Sequence, residues 1–221
     1  MLKEKLNLME SLKVIAKLSE PTEWVNSLVV VHKPSGQLRV CMDPKNLIKA
    51  IQREHHKQPT RDEISPRFSG SRYFSKLDCR SGYWQLELDE ASSKLCTFNT
   101  PFGQYRYLRL PFGVSCASEI FQKKMKELFE NIDGDTVHQI ACEGSPSIQI
   151  STIEKHNKTL DHENGRIPRK HGLELNCEKC LLGVNEITFI GDTYTDKGLK
   201  PAQKKIKAIT KLERPENRTG L

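Results

Sequence analysis

The sequence predicts an α+β fold built on antiparallel hairpins, and three observations carry that expectation. Paired runs that alternate apolar with polar residues are separated by turn-forming residues, the pattern of β-hairpins. Other stretches repeat apolar residues at helical spacing. Strands and helices do not alternate one by one, as they would around a parallel sheet. At 221 residues the chain is long enough to bury a sizeable core.

In chain order, Leu2, Leu6, Met9, Leu12, Ile15 and Leu18 fall near helical spacing and predict an amphipathic helix over 2–18, ended by Pro21. Leu28 to Lys33 and Gln37 to Asp43 predict a hairpin around Pro34-Ser35-Gly36. Tyr73 to Asp78 reads as a short strand ending on a carboxylate, and Tyr83 to Asp89 alternates again. Lys94 to Asn99 and Gln104 to Leu110 predict a second hairpin around Thr100-Pro101-Phe102-Gly103. A helix follows from Ser118 with Phe121, Met125, Leu128 and Phe129 on one face, capped by Ser115 or Ser118. Val137 to Ala141 and Ser147 to Ser151 predict a third hairpin. The next helix falls on 154–171, where Gly165 and Pro168 split it or turn it into loop. Strands at Cys180 to Leu182 and Glu186 to Ile190, then a basic helix from Pro201, complete the chain. In that last helix Ala202, Ile206, Ile209 and Leu212 are expected inward, with Lys204, Lys207 and Lys211 outward.

Composition bounds the function. A hydrophobic fraction of 36% excludes a disordered chain, and no run approaches the roughly 18 apolar residues that span a bilayer. No secretory signal opens the chain, and the seven cysteines are odd in number and scattered, so reduced thiols in an intracellular protein are expected. Lys plus Arg exceed Asp plus Glu by 35 to 28, a net charge of +7, which favours an anionic partner such as nucleic acid. Cys177-x-x-Cys180 has the spacing of half a zinc site, with no second pair nearby.

The chemistry centres on Phe74-Ser75-Lys76-Leu77-Asp78, followed by Cys79-Arg80-Ser81-Gly82-Tyr83-Trp84-Gln85. A carboxylate at a strand end beside a Gly-containing turn can hold a divalent cation through oxygen, or simply form the turn. With its neighbours the run resembles the first catalytic motif of the reverse transcriptases of Ty3/gypsy-type long-terminal-repeat retrotransposons. Val31 to Asp43 resembles the family's fingers hairpin. Phe98-Asn99-Thr100-Pro101-Phe102-Gly103 and Leu110-Pro111-Phe112-Gly113-Val114-Ser115-Cys116-Ala117-Ser118 resemble its entry to the palm, and Leu175 to Cys180 and Thr188-Phe189-Ile190-Gly191 its end.

That resemblance implies a right-hand polymerase fold: an N-terminal helix in 1–20, fingers and the first part of the palm interleaved in 21–110, palm in 111–195 and the start of a truncated thumb in 196–221. It implies RNA-directed DNA synthesis on a primer–template with a deoxynucleoside triphosphate and two Mg²⁺ ions. It makes Asp78 the first metal-binding carboxylate, places Arg39 and Lys33 on the nucleotide's phosphates, sets Tyr83 beneath the sugar, where it hinders a 2′-hydroxyl, and makes Phe112 a wall of the pocket. The helix bearing Lys204, Lys207 and Lys211 would lie along the primer–template. The rest of the thumb, the connection and the RNase H region would belong to a longer polyprotein.

One departure bears on activity. The family has adjacent aspartates at the tip of the third hairpin, where this chain has Cys142 and Glu143. Glu143 is the candidate second metal ligand, but its extra methylene moves the carboxylate by about an ångström, a misplacement worth roughly 100-fold. A thiol at Cys142 suits softer metals than Mg²⁺. The expectation is therefore an impaired polymerase, or a non-catalytic relic that binds nucleic acid.

Overall fold

The computed structural model describes residues 1–32, 36–49, 51, 56, 60–68, 70–129, 137–142, 145–152, 172–189 and 191–211. Helix α1 (Leu2–Ser11) buries Leu6 and Met9, but it stops well short of Leu18. The backbone reverses at Lys13, whose φ is 53°, and Ile15–Leu18 forms strand β1. Val14, Ile15 and Leu18 suit either element. The β-branched Ile15 gains a ladder partner, Tyr107, and becomes almost wholly buried, which outweighs continuing the helix.

The first hairpin forms as its pattern predicts. Strands β2 (Ser27–His32) and β3 (Leu38–Asp43) pair antiparallel from Ser27 opposite Asp43 to His32 opposite Leu38. Period-two alternation buries Leu38, Val40 and Met42 and turns Arg39 and Cys41 to the other face. A short helix α2 (Arg61–Ile64) precedes β4 (Tyr73–Asp78), the strand that the sequence placed at the same residues.

Residues 83–89 depart from their predicted strand. Gly82–Gln85 is a 3-10 turn entered through Ser81 at φ 48°, and only the segment from Leu86 to Leu88 pairs, with Leu108 and Leu110. The reason is packing: Tyr83 and Trp84 both lean on the same core, which neighbours on a flat strand cannot do. Helix α3 (Glu90–Leu95) takes residues expected to open the second hairpin; the Asp89 carboxylate caps it by accepting from the Ser92 N–H at 2.8 Å. The hairpin itself is β5 (Thr97–Thr100) and β6 (Gly103–Tyr107), joined by β1 in a sheet ordered β1-β6-β5. Helix α4 (Ala117–Phe129) begins one residue ahead of Ser118, so Ser118 lies inside it rather than capping it.

The third hairpin forms as β7 (Val137–Cys142) and β8 (Ser145–Thr152). The helix expected over 154–171 lies outside the described residues. Strand β9 (Leu181–Val184) completes a four-stranded sheet, β7-β8-β4-β9, in which β4 is central. Then β10 (Glu186–Phe189), β11 (Asp192–Thr195) and β12 (Gly198–Pro201) form a meander, of which the sequence reading saw only the first strand. Pro201 closes β12 opposite Asp192, so helix α5 (Gln203–Thr210) starts two residues later than expected. Its inward face is corrected as well. Ala202 is buried, but Ile206 is 38% and Ile209 60% exposed, because the meander supports only the start of the helix, where the Ala202 N–H meets the Gly191 carbonyl. Leu212 lies outside the described residues.

Two apolar clusters fill this frame. The larger joins α1, β3, β6 and α4 with Leu77 and Cys79; the smaller holds Phe68, Phe74, Ile187, Phe189 and Tyr194.

Candidate nucleotide site beside Asp78

Asp78 ends β4, with Ser147 of β8 opposite it. Alternation sets Asp78 on the sheet face of Phe74 and Lys76, opposite to Leu77 and Cys79, which pack with Phe121 and Met125 of α4. It is 5% exposed, so its carboxylate sits in a recess rather than on an open rim. Its backbone is held from the β9 side. The Asp78 carbonyl accepts from the Asn176 N–H at 2.8 Å, and its N–H donates to Cys180 Sγ at 3.3 Å. The turn after it is tied down by Gln85, whose Nε2 donates to the carbonyls of Arg80 (2.7 Å) and Glu174 (2.9 Å) while its Oε1 accepts from the Glu174 N–H. Burial, reinforced by the neighbouring Asp78 and Cys180, pushes the Cys79 thiol up to about 12; burial also raises Cys180. Both are neutral thiols at ordinary pH and add no negative charge beside the carboxylate.

Three of the predicted nucleotide residues converge. The ring of Phe112 lies 4.9 Å from that of Tyr83, and the Arg39 guanidinium carbon lies 5.4 Å from the Phe112 centroid. Trp84 meets the same ring edge-on at 6.1 Å. Phe112 reaches β3 because its carbonyl accepts from the Met42 N–H at 2.9 Å. The next residue makes that approach possible: Gly113 has φ 107°, and a Cβ there would lie 1.9 Å from the Met42 carbonyl oxygen. The fork of Arg39 is thereby stacked on an aromatic face, a preorganised arrangement for phosphate oxygens.

Other candidates fall elsewhere. Lys33 and Glu143 lie outside the described residues; Cys142 ends β7 opposite Ser145. Lys204 and Lys207 on α5, and Lys211 just after it, are exposed. Among the described residues no three His, Cys, Asp or Glu side chains gather as a cation site, so the half zinc site finds no partners there. Asp78 supplies a single carboxylate. Among the described residues it is the one assigned carboxylate, an oxygen donor of the kind a divalent cation takes, and its assigned companion Glu143 lies outside them. The supporting roles of Gln85, Asn176 and Cys180 were missed from sequence. The one available signal, the Cys177-x-x-Cys180 spacing, pointed to zinc instead.

Residues 31–194 match the family model described as reverse transcriptase (RNA-dependent DNA polymerase). Over 220 residues the chain is 33% identical to an uncharacterized protein of Caenorhabditis elegans, covering 98% of this chain and 17% of that protein. Over 210 residues it is 33% identical to the retrovirus-related Pol polyprotein from transposon 412 of Drosophila melanogaster, covering 91% of this chain and 17% of the polyprotein. The chain thus spans about a sixth of the length of these relatives. Its fold is that of the foamy viral protease-reverse transcriptase solved in complex with double-stranded DNA, with a TM-score of 0.85 at 20% identity over 99% of this chain and 38% of that one.

Proposed function

We propose, because this chain belongs to the reverse transcriptase (RNA-dependent DNA polymerase) family, that its Asp78 face takes up a primer–template duplex and a deoxynucleoside triphosphate while synthesising DNA weakly or not at all. The chain is a reverse transcriptase domain similar to those of retrotransposon Pol polyproteins. We assign it to the Ty3/gypsy group, with fingers and palm up to about residue 195 and the start of the thumb beyond. We place it inside the cell, on the odd number and scatter of its seven cysteines.

The observation that carries the nucleotide reading is the stack of Arg39 on Phe112 with Tyr83 against the same ring. Arg39 would grip phosphate oxygens by charge-assisted hydrogen bonds. Phe112 would wall the base and sugar. Tyr83, packed between Phe112 and Phe121, is too confined to swing aside for a 2′-hydroxyl. Lys33 belongs to the same phosphate contact, and Lys204, Lys207 and Lys211 would follow the duplex backbone. The family works with divalent metal. Here Asp78 and Glu143 are the carboxylates assigned to it, one fewer than the family supplies, and that shortage is the reason for weak synthesis.

The test pairs binding with extension. A fluorescent primer–template should bind at low salt and weaken steeply as salt rises. Mg²⁺-dependent extension of the same primer should be absent or very slow. Extension that disappears in Asp78→Ala would overturn the impaired reading, and no binding at low salt would overturn the nucleic-acid reading.

A further inference from the structure

We infer that Cys180 is a positioning residue for Asp78: its sulfur stands where the ladder of a neighbouring strand would present a carbonyl, and so fixes the end of β4 that carries the carboxylate. The inference rests on the reading of Asp78 as a cation ligand. It starts from how β4 is paired. On the β9 side, Phe74 faces Val184 and Lys76 faces Leu181, with an irregularity between them. Continued by two residues, that register would set Lys179 opposite Asp78. Instead, Cys177–Lys179 is a 3-10 turn, and backbone pairing on this side resumes only at the antiparallel bridge between Cys79 and Leu175.

In an antiparallel ladder the N–H and C=O of one residue point to the same side. The Asp78 carbonyl takes its bond from Asn176, so the Asp78 N–H also points toward the 176–180 turn and away from β8. Its acceptor is Cys180 Sγ, at 3.3 Å, and the same sulfur lies 3.9 Å from the Asp78 carbonyl oxygen. One side chain therefore bridges both polar groups of the Asp78 backbone. Gln85 holds the frame from the opposite end by binding Glu174 through both its backbone groups. With the N–H unpaired, β4 would be free to twist at its last residue, and the carboxylate would lose its fixed aim.

Cys180→Val in the full chain roughly keeps the bulk and removes the acceptor; Cys180→Ser keeps an acceptor. Two readouts apply: hydrogen exchange of the Asp78 amide by NMR, and affinity for Mn²⁺ alone, from paramagnetic broadening of amides around Asp78. Cys180→Val should speed the Asp78 exchange and weaken Mn²⁺ binding by roughly 10-fold, within the usual range for supporting partners of a metal ligand. Cys180→Ser should restore both, and Cys177→Ser, at an exposed position, should change neither. If Cys180→Val does not fold, Cys180→Ala is read the same way. Unchanged Asp78 exchange in Cys180→Val overturns the inference, and so does unchanged Mn²⁺ affinity when Asp78→Ala abolishes it. If Asp78→Ala itself leaves Mn²⁺ binding intact, the cation reading fails, and the exchange measurement alone decides the role of Cys180.

Discussion

The two faces of β4 are buried by different means. On one, Leu77 and Cys79 enter a large cluster that draws on α1, β3, β6 and α4, and the backbone at Gly113 is pressed against Met42. On the other, Phe74 meets a small aromatic cluster: Phe68 lies 4.8 Å from Tyr194 and 6.1 Å from Phe74, and Tyr194 exchanges a hydrogen bond with Ser65 at 3.1 Å. The large cluster carries the nucleotide platform directly above it. The small one carries the meander, whose helix α5 leaves its apolar side open. The Arg39–Phe112–Tyr83 stack thus leans on the large cluster, while Asp78 shares its face of β4 with Phe74 and the small one.

The contrast predicts a steep difference in sensitivity. The largest effect is expected from Gly113→Ala. A methyl there meets the Met42 carbonyl and forces an L-residue into φ 107°, so the loss should reach about 5 kcal/mol or leave the chain unfolded. Urea denaturation measures it, and a loss below about 1 kcal/mol would show that Phe112 and β3 are not in close contact. Next comes Phe121→Ala, which empties a fully buried ring site in the large cluster and should cost about 3–5 kcal/mol in a single cooperative transition.

These sites also show what the sequence could and could not disclose. Alternation located β3, because one buried face imposes period two, while β2, β4 and the third hairpin were legible as short runs bounded by turn residues. The family motifs picked out Arg39, Tyr83 and Phe112, which the structure brings together. Tertiary choices stayed hidden. Ile15 reads equally well as helix or strand until Tyr107 is opposite it. Tyr83 and Trp84 alternate like a strand until both are drawn to one core. The apolar stripe of α5 looked inward, although whether such a stripe is covered depends on neighbours and not on its own spacing. Cys180 was invisible as a support because a thiol that accepts one backbone N–H has no sequence signature.

A smaller effect separates the clusters by pH. Cys96, in the large cluster, is pushed up to about 12 from 9.0, chiefly by burial. Folding therefore favours the protonated thiol. The stabilising contribution is complete below pH 9 and is lost as pH rises toward 12, at up to about 1.4 kcal/mol per unit. In Cys96→Val the alkaline slope of stability should flatten, by about 1 kcal/mol at pH 10. Equal slopes in the two proteins, followed by thermal melts between pH 8 and 11, would mean that this thiol ionises freely in the folded chain. Tyr194→Phe in the small cluster removes the bond to Ser65, and at neutral pH the loss should be about 0.5–1.5 kcal/mol by urea denaturation.

The smallest changes belong to α5. Ile209 is already 60% exposed, so Ile209→Ser should shift stability by no more than about 0.5 kcal/mol. Lys207→Gln should be equally silent in stability yet visible in binding: if its ammonium neutralises one phosphate, the slope of log affinity against log salt should become shallower by about 0.9 for a duplex. The pair of substitutions divides the helix by function rather than by fold. A marked loss of stability in Ile209→Ser would mean that something covers the apolar side in solution, so that the small cluster continues into α5. An unchanged salt slope in Lys207→Gln would take this helix off the path of the nucleic acid and leave the Arg39 face to account for binding.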